Sequence, residues 1–319
     1  MRIVQVCDYK FPATGNAGAE RIVERLTKGL QSLGHTVVLK AKPDSKLDYV
    51  QVVQDVPKDF DIVHHHGWCW DKEHEYNAWG LPWVSTIHGG GMEIDPNWLN
   101  AARNNPHIIC VSKFVSDRIG APAYVHNFAE PDEFIYKEEK QNYFLYIASL
   151  DWGVQKGLDI FINLARKIRG QNFVIAGGTK NDQLRLQIQD LCRLEGNLKF
   201  AGEVNGKEKA ELIANAKAVI IPTQLPDACP GTVSEALISG TPIIASANGA
   251  MPELISEQVG YVCRKEVDYV KAITNIARNP QITPLNCKNF ALKNYSHIAG
   301  AARYLELYQN MLTKGSVAP

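Results

Sequence analysis

A chain of 319 residues is longer than one hydrophobic core usually supports, so two domains are expected. Its 45% apolar and 21% charged residues are ordinary for a soluble globular protein, and no window approaches the roughly 18 apolar residues of a membrane span. The 34 Lys and Arg balance 34 Asp and Glu, which removes any global argument for a nucleic-acid partner. The apolar run before Asp8 is too short for the core of a signal peptide. The 7 cysteines are odd in number and scattered, with no C-x-x-C pair, as expected for reduced, mostly buried thiols in a cytoplasmic protein. Cys229, inside a polar loop, is the one expected to be exposed.

Arg2 to Val6 reads as a first strand, and a loop from Phe11 to Gly18 follows. Ile22, Leu26, Leu30 and Leu33 then share one helical face ended by Gly34, and Val37 to Lys40 is the next strand. Strand, helix, strand opens a parallel, doubly wound sheet. Gly15-x-x-Gly18 comes too long after the first strand to be the dinucleotide fingerprint, and by itself marks a flexible loop. The segment DIVHHH, Asp61 to His66, is a strand reaching the carboxyl edge of the sheet. Neighbours on a strand point to opposite faces, so of the three histidines only His64 and His66 can share one. A metal would need a further ligand such as His74 or His88, no zinc spacing is complete, and no metal site is expected. Trp68, Trp70 and Trp79 either stack on a ligand or simply pack. Leu81 to His88 is a strand that ends on His88 directly before Gly89-Gly90-Gly91, where α/β sheets gather functional groups. After the strand HIICVS, Ser112 is placed to cap a helix, and AEPDEFIYKEEKQN is the best domain linker in the chain.

The alternation restarts with strands at Tyr143 to Ala148, Phe173 to Ala176 and Leu198 to Gly202, and helices bearing Ile160, Leu164 and Ile168, then Ala210 to Ala216. Lys156 precedes the first of these helices; read alone it is a solvated surface charge. Ala218 to Pro222 and Ile243 to Ala245 are strands flanking a helix from Thr232 to Ser239, which Gly240 and Pro242 terminate. The loop before that helix holds Asp227, Cys229, Pro230 and Gly231. Free backbone N–H groups at the positive end of a helix make a phosphate site, here with a carboxylate beside it. Thr232-x-x-Glu235 also fits a capping box, in which Glu235 would tie back onto the first turn.

Asp227 and Glu235 are separated by seven residues and bracket a Pro-Gly loop. This resembles the acidic pair, usually Glu-x7-Glu, of the retaining glycosyltransferases of family 4, the glycosyl transferases group 1. Other segments resemble the family in the same order: GNAGAER, the strand ending at His88, the turn at Asn127, Lys156-Gly157, LKFAGEV and ANGAMPEL. The departures are Asp227 for the first Glu, Pro230 for a Gly, Phe128 for the Gly after Asn127, Ala17 for a Gly, and Ser149 where the family has a phosphate-binding Arg.

The resemblance implies a GT-B fold, two Rossmann-like doubly wound parallel-sheet domains facing across a cleft. The boundaries it suggests are 1–132 and 133–299, with a helix at 300–319 crossing back onto the first domain. It implies transfer of a sugar from a nucleotide diphosphate sugar, with retention at the anomeric carbon and no cofactor or catalytic metal. His88, reaching the donor sugar or its phosphate, and Asp227, facing the sugar, would be the catalytic residues. Gly18, Lys156, Cys229, Gly231, Thr232 and Val233 would bind the donor phosphates, and Glu235 the ribose. The acceptor would be a glycan, a lipid-linked molecule or a small molecule, and the place of action the cytoplasm or the inner membrane face. A nucleotide-sugar epimerase on the same fold, and a homologue that binds without turnover, are the alternatives.

Overall fold

A computed structural model describes residues 1–14, 18–68, 72–89, 96–278 and 281–318. The chain divides into two compact units, Met1–Ala129 with Asn294–Pro319, and Glu130–Lys293. The triple-glycine turn beyond Gly89, together with Ala17, Cys69 and Trp70, lies outside the described residues.

The first unit runs β1 (Arg2–Val6), α1 (Gly18–Ser32), β2 (Thr36–Lys40), β3 (Gln51–Val53), β4 (Ile62–His66), α2 (Glu73–Ala78), β5 (Trp83–Ile87), α3 (Pro96–Ala102), β6 (Ile108–Cys110), α4 (Lys113–Ile119) and β7 (Ala123–Tyr124). Its seven strands are ordered β3-β2-β1-β4-β5-β6-β7 and paired in parallel. Helices on both faces bury such strands completely, and β4 and β5 are buried at every residue. Ser112 caps α4 as its position suggests, accepting from the Val115 N–H.

The second unit runs β8 (Phe144–Ile147), α5 (Leu158–Lys167), β9 (Phe173–Ala176), α6 (Asp182–Glu195), β10 (Leu198–Gly202), α7 (Gly206–Asn215), β11 (Ala218–Ile221), α8 (Gly231–Ile238), β12 (Ile243–Ser246), α9 (Met251–Leu254), β13 (Gly260–Cys263), α10 (Glu266–Arg278) and α11 (Pro284–Tyr295). Its six strands are ordered β10-β9-β8-β11-β12-β13, again parallel. Phe144, Tyr146, Phe161, Phe173 and Ile244 centre its core.

The last helix, α12 (His297–Lys314), belongs to the first unit. It packs on α1 and the sheet through Tyr304, Leu307, Tyr308 and Met311. Leu312, near the end of the helix, stays 40% exposed. A Cβ at Gly300 would lie 2.1 Å from the Phe128 ring. The bulky residue that stands in place of a turn glycine is therefore accommodated by a glycine on the opposing helix. Gly29 on α1 plays the same part, since a Cβ there would sit 2.6 Å from the His297 carbonyl oxygen.

Candidate functional site

In an open α/β sheet, ligands bind beyond the carboxyl ends of the strands where the strand order reverses. In the second unit that point falls between β8 and β11. The loop leaving β8 carries Lys156 and Gly157, and the loop leaving β11 carries Asp227 to Gly231. The two loops are laced together by the Gln155 carbonyl, which accepts from Gln224 N–H at 2.8 Å and Leu225 N–H at 3.3 Å. Gly157, at φ +77°, approaches so closely that a Cβ would lie 1.9 Å from the Pro222 oxygen. The loop after β12 closes the arrangement: Asn248 Nδ2 donates to the Thr223 carbonyl at 2.8 Å and Ala250 N–H to the Asp227 carbonyl at 2.9 Å.

Lys156 Nζ forms a hydrogen-bonded ion pair with Asp227 Oδ2. The two are far apart in the chain and only the switch point brings them together. The solvated-surface reading of Lys156 does not describe it, because the side chain is half-covered and engaged.

Helix α8 begins at Gly231 with Pro230 as its cap and no side-chain cap bond. Thr232 and Glu235 are therefore not in capping-box register. Proline is pre-set for helical φ, and Pro230 at −69° starts the helix earlier than a Thr232 cap would. The Gly231 and Thr232 N–H groups have no acceptor among the described residues, whereas Val233 N–H turns onto the Pro230 carbonyl at 3.2 Å. Two of the three N–H groups at this end thus remain available to an anion. Cys229 is buried at 6% exposure, which corrects the expectation of an exposed thiol. A small weakly polar side chain gains more by turning under the loop than by facing water. Burial pushes the Cys7, Cys110, Cys263 and Cys287 thiols up to about 12.

Glu235 is buried, and Lys209 Nζ of α7 lies 2.6 Å from its Oε2. Its Oε1 lies 3.8 Å from where a Cβ of Gly231 would be, so the carboxylate reaches back toward the first turn. Lys209 was not singled out in the sequence. Its position one residue before buried Ala210 and four before buried Ile213 was the available sign that it borders the packed face of α7. A cavity of about 320 Å³ opens at the ends of β9 and β10, lined among others by Gly177, Gly178, Arg185, Phe200 and Glu203.

In the first unit the strand order reverses between β1 and β4. Gly18 is the first residue of α1, with open space where a Cβ would stand. His88 follows β5, and its Nε2 lies 3.0 Å from His66 Nδ1. Burial alone pulls the His88 pKa down to about 4. His64 and His66 do share a face, ring centroids 4.0 Å apart, while His65 points away toward the Tyr76 hydroxyl at 3.3 Å. Both ring nitrogens of His64 and of His66 are taken by protein partners. Among the described residues no three His, Cys, Asp or Glu side chains are grouped to hold a metal ion, and His74 stands exposed on α2. Trp79 lies at the end of α2 with Lys58 Nζ 4.7 Å from its ring centroid, a surface packing role.

Two Rossmann-like parallel-sheet units in this order define the GT-B fold. A glycosyltransferase from Rickettsia africae shares it, with TM-score 0.79, 15% identity and 98% of each chain covered. So does the Anabaena protein Alr3699/HepE in complex with UDP, with TM-score 0.73, 15% identity, 97% of this chain and 100% of that one. The model of the family described as glycosyl transferases group 1 matches residues 129–294, and the chain belongs to that family. An uncharacterized glycosyltransferase of Methanocaldococcus jannaschii, MJ1607, is 26% identical over 244 residues, 63% of this chain; the match spans 61% of that relative's length. Among the described residues no helix is long and apolar enough to cross a membrane.

Proposed function

We propose that the chain is a retaining glycosyltransferase that moves a sugar from a nucleotide diphosphate sugar to an acceptor hydroxyl. The observation that carries this reading is the grouping at the β8/β11 switch point: a cation, Lys156, ion-paired to Asp227, two open N–H groups at the start of α8, and the carboxylates of Asp227 and Glu235. UDP bound to the Anabaena neighbour supports the donor class.

The chemistry follows from charge. Breaking the bond to the anomeric carbon leaves negative charge on the departing diphosphate and positive charge on the sugar ring. Lys156 and the N–H groups of Gly231 and Thr232 stabilise the first without reorganising, and Asp227 stabilises the second. A diphosphate that takes Lys156 releases Asp227 from its ion pair toward the sugar. With that cation and those dipoles in place, the step needs no metal. Glu235 accepts hydrogen bonds from the ribose hydroxyls. A panel of nucleotide sugars, with NMR of the product's anomeric carbon, tests the proposal; an inverted product or free sugar alone would overturn it.

Glu235→Gln separates ribose binding from a structural role. Gln keeps the shape but gives up the charge-assisted bond, so affinity for the nucleoside diphosphate should fall about tenfold, roughly 1–2 kcal/mol. Calorimetric titration reads this directly. Parent-like affinity with a lowered melting temperature would leave Glu235 as the structural partner of Lys209 only.

A further inference from the structure

Polar side chains of the first unit, buried except for the half-buried His88, join into one hydrogen-bonded series that starts at His88. His88 Nε2 meets His66 Nδ1 at 3.0 Å, and His66 Nε2 meets Gln5 Oε1. Gln5 Nε2 donates to the Tyr308 hydroxyl at 3.4 Å, which in turn meets His64 Nδ1 at 2.6 Å. His64 Nε2 meets Thr86 Oγ1 at 2.7 Å, and Thr86 the Tyr304 hydroxyl at 3.0 Å. Gln5, His64, His66 and Thr86 are buried on adjacent strands, and the two tyrosines reach them from α12.

The series has a direction. An amide oxygen only accepts, so the proton of His66 sits on Nε2. Burial keeps His66 neutral at pH 7, so its Nδ1 bears a lone pair. His88 Nε2–H must then donate to it. Neutral His88 is left with a lone pair on Nδ1, and that atom is buried with no hydrogen-bond partner among the described residues. A buried acceptor left unmet is costly, and in a native site it calls for a ligand group that can fill it.

We propose that Gln5 and His66 are positioning residues that hold His88 in its Nε2–H tautomer, so that Nδ1 accepts a hydrogen bond from a substrate hydroxyl. A phosphate oxygen, which can only accept, is excluded as the partner of that atom. Tyr308 and His64 extend the same order: the Tyr308 hydroxyl accepts from Gln5 Nε2 and can then donate to His64 Nδ1. The assignment rests on the sugar-transfer reading for the identity of the hydroxyl-bearing ligand. The tautomer itself is a property of the free protein.

Long-range proton–nitrogen correlation spectra of the full chain labelled with 15N-histidine test it. At neutral pH the His66 and His88 rings should each show a protonated Nε2 and a bare Nδ1. Gln5→Leu removes the acceptor and should let His88 populate both tautomers, with kcat about tenfold lower and KM for the donor little changed, the cost of one neutral hydrogen bond. Gln5→Glu restores an oxygen at that point and should restore the single tautomer. A proton on His88 Nδ1 in the parent, meaning that the Gln5 amide is turned over and the whole series reversed, would overturn the proposal. So would an unchanged His88 tautomer in Gln5→Leu. The spectra need no donor: a failure to transfer sugar counts against the transfer reading, and a displaced proton counts against the relay.

Discussion

Asp227→Asn should lower turnover of the nucleotide sugar by roughly 10²–10³, the usual cost of removing one preorganised electrostatic partner of the transition state. The ground-state consequence runs the other way. In the free protein Asp227 neutralises Lys156 through their ion pair, so a donor diphosphate must displace a carboxylate before it can use the cation. Asparagine competes far less well for an ammonium group. The bare nucleoside diphosphate should therefore bind at least as tightly to the variant as to the parent, while kcat collapses. That opposition distinguishes the assignment from simple damage to the site, which would lower both. Titration of the nucleoside diphosphate alongside steady-state kinetics reads the two effects separately. Parent-like turnover would remove Asp227 from the chemistry, and a tenfold loss of nucleotide affinity would show that its main work is structural.

Gly157→Ala is the second large effect. The added Cβ would lie 1.9 Å from the Pro222 oxygen, a backbone atom that cannot rotate aside, and the position holds φ +77°. Left-handed backbone costs a non-glycine residue about 1–2 kcal/mol and forced overpacking a further 1–3 kcal/mol. The loop after β8 is expected to lift away from the loop after β11, losing the Gln155 bonds and moving Lys156 off the switch point. The variant should melt earlier and bind nucleoside diphosphate at least tenfold more weakly, about 1.4 kcal/mol. A crystal structure of the variant with both loops unmoved and donor affinity intact would refute this account of the glycine.

Much of the architecture was legible because parallel strands buried on both faces read as apolar runs, as in FVIA and AVII. The three-residue strand β3 escaped notice, since Gln51–Val53 is too short to show a period between polar turns. Lys156, Asp227 and Glu235 could be picked out one at a time, but not their partners. The ion pair of Lys156 spans 71 residues of sequence and the bond from His64 to Tyr308 spans 244, separations that only the strand order closes. Periodicity placed His64 and His66 on one face and could not say that the last helix would complete their network. The capping-box reading of Thr232 and Glu235 failed by a shift of two positions in the helix cap, from Thr232 to Pro230. Lys209 was hidden by composition: in GKEKAELIAN it looks like one of several surface charges.

The return of α12 to the first unit has a consequence for biosynthesis. The second unit is continuous in sequence, and all of it is synthesised before α12. The first unit must wait. Until Asn294–Pro319 emerges, Phe128 lacks the groove at Gly300, the Ala129 carbonyl lacks the His297 N–H, and Ile3, Leu26, Ile62 and Val84 lack the tyrosines that cover them. At translation rates of about 5–20 residues per second, this exposure lasts on the order of ten seconds or more. The half of the chain synthesised first is thus the half that finishes folding last. A chain truncated before His297 and released should present a folded second unit and a sticky, chaperone-dependent first one.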